Sequence, residues 1–153
     1  MLSVTMEKNL AITELLNSSF LSIKNVVPVD HEIKKPRRLE HPLRLQFGVL
    51  IGITGDVKGK LVMAGDSGLF SMIGEKMFGM PLEGEMLSSF SGELGNMIAG
   101  GMATIVVEKG LQIDITSPTI LQGDTMLTGY KLALQVTTAF DKMGELDINL
   151  LLD

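Results

Sequence analysis

Glu93 and Asn96 stand three positions apart in the stretch SSFSGELGNMIAGGMATIVVEKG, residues Ser88 to Gly110, among glycines at 92, 95, 100 and 101. A carboxylate pairs with cations, and a carboxamide both donates and accepts hydrogen bonds. The two together suit phosphoryl hydrolysis, which depends on positioning and charge stabilisation, and in which a carboxamide that orients the attacking water is a recurring part. Such a reaction needs no nucleophile from this chain when the phosphoryl group and its Mg²⁺ already sit on a partner. Asn96 would then hold the water and Glu93 would anchor on a partner cation.

The element that must present them reads as a helix from about Glu85 to Lys109, with Gly110 as its C-terminal cap. At about 100° per residue, Ser89, Glu93, Asn96, Gly100, Ala103, Thr104 and Val107 fall in one arc, while Leu94, Ile98, Met102, Ile105 and Val106 fall on the other side with Gly101. Each interior glycine costs a helix about 1 kcal/mol relative to alanine. Two explanations compete. The small residues let the helix approach a neighbouring helix or sheet, with Glu93 merely exposed and Asn96 satisfied by backbone; or a partner surface descends onto the bare face and receives Glu93 and Asn96.

Elsewhere the apolar spacing of Leu10, Leu15, Leu16, Phe20 and Ile23 predicts a first helix over about Met6 to Lys24. Pro28 ends it, and VPVDHEIKKPRRLEHPLRL reads as extended or irregular. A hairpin follows at roughly 44–54 and 59–65, its turn at Gly55-Asp56. Asp66 or Ser67 is placed to cap a short helix, SGLFSMIGEKMFG, by accepting from free backbone N–H groups. Three more strands are expected in LQIDITSPTILQ, YKLALQVTTAF and ELDINLLLD, with turns at Gly123-Asp124 and DKMGE. The last of these could form a free edge that pairs with a second copy.

Both halves run helix then strands. A shift of 79 residues lays Glu14 on Glu93 and Asn17 on Asn96, which points to one domain over 1–153 made of two pseudo-repeats, about 1–80 and 81–153. The expected class is α+β, a mostly antiparallel sheet covered by two long helices. Glu14 and Asn17 copy the Glu/Asn core, but Leu10 replaces the serine and Leu15, Leu16, Phe20 and Leu21 make that helix bulky. They read as a relic of the repeat, with a second half-site as the alternative.

Composition narrows the function further. A net charge of −5 with one tyrosine and no tryptophan argues against a nucleic-acid surface. No cysteine is present, so disulfides, thiolate metal sites and thiol nucleophiles are excluded, and a reducing, cytoplasmic setting is expected. The N-terminus lacks a signal-peptide pattern, and the longest apolar run, Met97–Val107, is shorter than the about 20 residues that cross a bilayer, so no membrane insertion is expected. His31 and His41, ten apart in a flexible basic stretch, lack a spacing that fixes metal geometry. The cluster Lys34, Lys35, Arg37 and Arg38 could steer an acidic partner but reads first as a solvated loop. There is no phosphate-cradling glycine loop and no Ser/His/Asp set.

The pattern Ser89-x-x-x-Glu93-x-x-Asn96, followed further on by Pro118 in ITSPTILQG, resembles the signature of the CheC, CheX and FliY family of chemotaxis phosphatases. The hairpin GVLIGITGDVKGKLVMAG fits as well, so the resemblance covers most of the chain from about residue 44. It implies a phosphatase acting on the aspartyl phosphate of a CheY-like response regulator. Glu93 would pair with the regulator's active-site lysine and Asn96 would place the water. Ser89 and Pro118 would hold the first and last motif positions, with Gly100, Ala103 and Thr104 on the docking face. The resemblance also implies a homodimer built by sheet association, no cofactor on this chain, and Mg²⁺ on the regulator. A receiver-binding or assembly module of the same fold, without hydrolysis, is the alternative.

Overall fold

The structure is a computed structural model that describes residues 4–153. Its elements run α1 (Val4–Val26), β1 (His31–Ile33), β2 (Arg37–Arg38), β3 (Leu43–Gly55), β4 (Gly59–Ala64), α2 (Ser67–Phe78), α3 (Gly84–Val107), β5 (Ile113–Ile115), β6 (Thr119–Leu127), β7 (Leu132–Phe140) and β8 (Gly144–Leu152). The class is α+β as expected, with two long helices and a shorter third over a sheet whose pairings are all antiparallel.

The sheet order is β1-β7-β8-β4-β3-β5, with β2 also on β7 and β6 also on β3. The short strands of the first half therefore pair with a long strand of the second, and those of the second with a long strand of the first. β4 and β8 meet in the middle. This overturns the expectation that ELDINLLLD is a free edge: β8 is bonded to β4 on one side and β7 on the other. Its alternation explains the position, because Leu146, Ile148, Leu150 and Leu152 face the helices while Asn149 and Leu151 are buried on the opposite side. Only a central strand needs to be apolar on both faces.

Three further differences have local causes. LQIDITSPTILQ is two strands, broken between Ile115 and Thr119, where Thr116 leaves the ladder yet bonds Gly52 twice: its N–H donates to the Gly52 carbonyl (3.0 Å) and its Oγ1 accepts from the Gly52 N–H (2.8 Å). Gly123-Asp124 is no turn but lies inside β6, where the pairing with β3 slips between Leu45 and Phe47 and Gly123 takes φ 88°. The slip changes the face of β3, with Leu43 and Leu45 in the outer apolar cluster and Phe47, Val49, Ile51 and Ile53 beneath the helices. Gly55 does form the expected hairpin turn, at φ 106°. At α2, Asp66 is the N-cap residue, but its backbone carbonyl rather than its side chain accepts, from Leu69 N–H at 3.0 Å.

The stretch read as extended or irregular contains β1 and β2, whose alternation is too short and too exposed to announce itself. Two of its four clustered cations are engaged by the fold. Lys34 pairs with Glu145 at 2.5 Å, and that carboxylate holds the lysine pKa above its ordinary 10.5. Arg37 donates to Gln135 Oε1. Gln135 in turn donates to Asn149 (2.9 Å), which donates to the Val62 carbonyl (3.1 Å), making a buried carboxamide chain across the outer side of the sheet.

Candidate active site on the third helix

α3 lies on β3, β5 and β6 and against α1, and its glycines divide by what they touch. A Cβ on Gly95 would come within 2.8 Å of Val49 Cγ1, and one on Gly101 within 2.3 Å of Ser22 Oγ on α1, so both positions are closed to any side chain without movement. Gly100 has nothing within 4 Å of such a Cβ. The apolar side is fully used: Phe90, Leu94, Ile98, Ala99, Met102 and Val106 are buried. Burying Leu94, Ile98 and Met102 is worth about 1.5–3 kcal/mol each, which outweighs about 1 kcal/mol for each glycine. The helix ends at Val107, two residues before the expected Lys109, and a turn over 108–110 closes it: Gly110 adopts φ 83°, its N–H reaches the Val107 carbonyl (3.1 Å), and Leu111 N–H reaches that of Val106 (3.1 Å).

The arc that remains is the face read from the sequence. Ser89, Glu93, Asn96, Thr104 and Val107 are exposed, and Gly100 and Ala103 are half-buried in the shallow surface between them. Thr104 spends its hydroxyl on the Gly100 carbonyl one turn back, at 3.0 Å. Glu93 and Asn96, three apart, have Cβ atoms about 5–6 Å from each other. Among the described residues neither makes an ion pair, the lone one being Lys34–Glu145, and neither side chain is hydrogen-bonded. Both are available to something outside the chain.

Pro118 belongs to the same neighbourhood. It lies half-buried at the start of β6, with its Cγ 3.6 Å from where a Gly92 Cβ would stand, directly beside Glu93 in the helix. The break that removes Thr116–Pro118 from the ladder thus leans a proline on the helix one residue before the carboxylate. Glu14 and Asn17 lie on α1, half-buried and exposed respectively, in a face where Leu10 and Leu21 are 54% and 50% exposed. No comparably bare surface surrounds them.

Sequence reasoning missed the apolar side of this site. Phe78, Met80 and Met86 stand exposed around Ser89 and Glu93, at the end of α2, on the α2–α3 connection and in the first turn of α3. Periodicity could not find them, because Phe78 and Met86 sit at the facing ends of two helices and Met80 in the loop between them; the crowding of Phe78 and Met80 around Gly79 and Pro81 was the available signal. Among the described residues no group of three or more His, Cys, Asp or Glu side chains could hold a metal ion, and no helix is long and apolar enough to cross a membrane.

The profile of a protein family described as chemotaxis phosphatase CheX matches residues 47–141, which include the whole of α3 and Pro118. The chain belongs to the CheX family. A CheX relative from Thermotoga maritima, described as a CheY-P phosphatase, is 28% identical over 144 residues, 91% of this chain and 93% of the relative. Among solved structures, a CheC-like superfamily protein from Shewanella sp. PV-4 is 25% identical with a TM-score of 0.76, covering 93% of this chain and 96% of that one. The structure of a CheX–CheY–BeF3–Mg²⁺ complex from Borrelia burgdorferi gives 22% identity and a TM-score of 0.74, over 92% of this chain and 96% of that one.

Proposed function

We propose that this CheX-family protein hydrolyses the aspartyl phosphate of a CheY-like response regulator, with α3 docked over the phosphorylated site. The observation that carries the assignment of roles is the pair Glu93 and Asn96, unengaged among the described residues and standing on a helix face kept low by Gly100 and Ala103. A related CheX is a CheY-P phosphatase, and a CheX of this fold has been solved with CheY, which supports the choice of partner.

On this reading the regulator brings the phosphoryl group, its Mg²⁺ and a lysine. The metal neutralises charge on the phosphoryl oxygens. The residues of this chain do the rest: the Glu93 carboxylate pairs with the lysine ammonium and fixes the register of the helix, and the Asn96 carboxamide accepts from and donates to a water, holding it in line with the phosphorus. Pro118, against Gly92, sets the height of this part of the helix over the sheet. The protein acts in the cytoplasm, as its freedom from cysteine suggests, and any homodimer must form through surfaces other than the β8 edge, which the sheet already uses.

The test is to mix the purified protein with phosphorylated receiver domains and follow phosphate loss. Wild type should accelerate it, Asn96→Ala should keep receiver binding and lose the acceleration, and Glu93→Lys should weaken binding itself. Wild-type binding without acceleration for any receiver would instead favour the non-hydrolytic docking module.

A further inference from the structure

Beside Glu93 the surface drops into an apolar hollow between α2 and α3. Leu82 and Phe90, both buried, form its floor, and Phe78, Met80 and Met86 form its walls at 62%, 50% and 56% exposure. Glu85, Ser89 and Glu93 rim it. The hollow is built rather than incidental: Phe78 meets Phe90 edge to face at 5.7 Å, and the Ser71 hydroxyl donates to the Leu82 carbonyl at 2.9 Å, fastening the connecting loop to α2. Three large apolar side chains left in water around one depression are uncommon on a self-contained surface and mark contact sites. Two of the three are methionines, which adapt to the shape of what they meet.

We propose that this hollow is the second half of the receiver-docking surface and receives an apolar side chain that the receiver carries next to a basic residue. The inference rests on the reading of α3 given above and extends it to specificity. Two observations choose this occupant. The hollow is continuous with the Glu93/Asn96 face, since Ser89 and Glu93 belong to both. Its rim also carries a carboxylate without compensation: Glu93 is given to the receiver's active-site lysine, but Glu85 has no ion-pair partner among the described residues, so a second cation flanking the inserted side chain completes it. The helix face then sets the chemistry while the hollow sets which receiver is accepted, because burial of one well-fitted side chain carries a large share of the energy of an interface.

Met86→Asp changes an exposed side chain and should melt near wild type, whereas Phe78→Ser also removes the packing on Phe90 and is compared at a temperature where its own melting curve shows it folded. With a receiver phosphorylated by a small-molecule phosphodonor, each should raise KM and receiver Kd by about tenfold or more while the rate at saturation stays near that of wild type; Met86→Leu should behave as wild type. Unchanged KM and Kd in both damaging variants, in a preparation where Asn96→Ala still abolishes the rate gain, overturns this inference and leaves the hydrolytic reading standing. Binding that depends on Met86 in a protein that speeds no dephosphorylation upholds the hollow and overturns the hydrolytic reading. A wild type that neither binds nor accelerates overturns both.

Discussion

Ser22 on α1 and Gly101 on α3 meet face to face: the serine hydroxyl donates to the Ile98 carbonyl at 2.6 Å, and a Cβ on Gly101 would lie 2.3 Å from the serine Oγ. Their separation in sequence, 101 − 22 = 79 residues, is the shift that lays Glu14 on Glu93 and Asn17 on Asn96. The two long helices therefore cross at equivalent positions, and the crossing tolerates only one side chain.

Gly101→Ala should destabilise the protein despite alanine's better helix propensity. The methyl group displaces the Ser22 hydroxyl and leaves buried polar groups unpaired, at about 1–3 kcal/mol, against about 1 kcal/mol regained from the helix. Urea denaturation should show the net loss. Adding Ser22→Ala should recover most of it, since the oxygen that clashes is then gone, and a strictly additive double variant would contradict the geometry.

Gly100, one residue earlier, should behave in the opposite way. Gly100→Ala enters open space and should raise stability by up to about 1 kcal/mol. Gly100→Leu should remain as well folded, yet reduce dephosphorylation of the receiver, because its side chain stands where the bare face must be approached. Melting curves and phosphate release on the same samples separate the two effects.

How legible this site was depended on whether a pattern repeats along the chain. The exposed arc of α3 was readable because a helix imposes a fixed period: Ser89, Glu93, Asn96, Thr104 and Val107 are exposed and Leu94, Ile98, Met102 and Val106 buried, while Ala103 packs half-buried against the core and Ile105, expected inside, is only half-buried. Strand order was not readable: alternation in β8 says which residues turn inward, not that β4 and β7 are the neighbours, so a central strand looked like an edge. β1 and β2 are too short to show alternation at all. At Gly123 the residues of a turn and of a bulge are the same, and only the pairing with β3 distinguishes them. The hollow depends on a loop folding back between two helices, which no local signal encodes.

Asn17 should prove dispensable for hydrolysis. It is exposed like Asn96, but Leu10 and Leu21 project on either side of it along α1, and a receiver cannot come as close as it does to α3. Asn17→Ala and Glu14→Ala should leave the dephosphorylation rate within about twofold of wild type, a difference too small in free energy to represent a lost site. A large drop would make α1 a second active helix.

Asn149 should matter to stability and not to chemistry. Asn149→Ala deprives buried Gln135 of its acceptor and the Val62 carbonyl of a donor, which should cost about 1–3 kcal/mol. Arg37→Ala, at the solvent end of the same chain of carboxamides, should cost less. Both should dephosphorylate the receiver at the wild-type rate when assayed well below their melting temperatures.

The central place of β8 also governs how the protein is made. During synthesis α1, the β3–β4 hairpin and α3 all leave the ribosome before the strand that joins the halves, and β4 waits for a distant partner, Lys60 for Leu151, 151 − 60 = 91 residues downstream. Until β8 arrives, α2 lacks the strand it packs against and β4 presents an unsatisfied edge. Nascent chains arrested before residue 144 should be sensitive to protease along α2 and β4 and resistant once β8 has emerged, so that the two ends of the sheet are joined only at the last step of its translation.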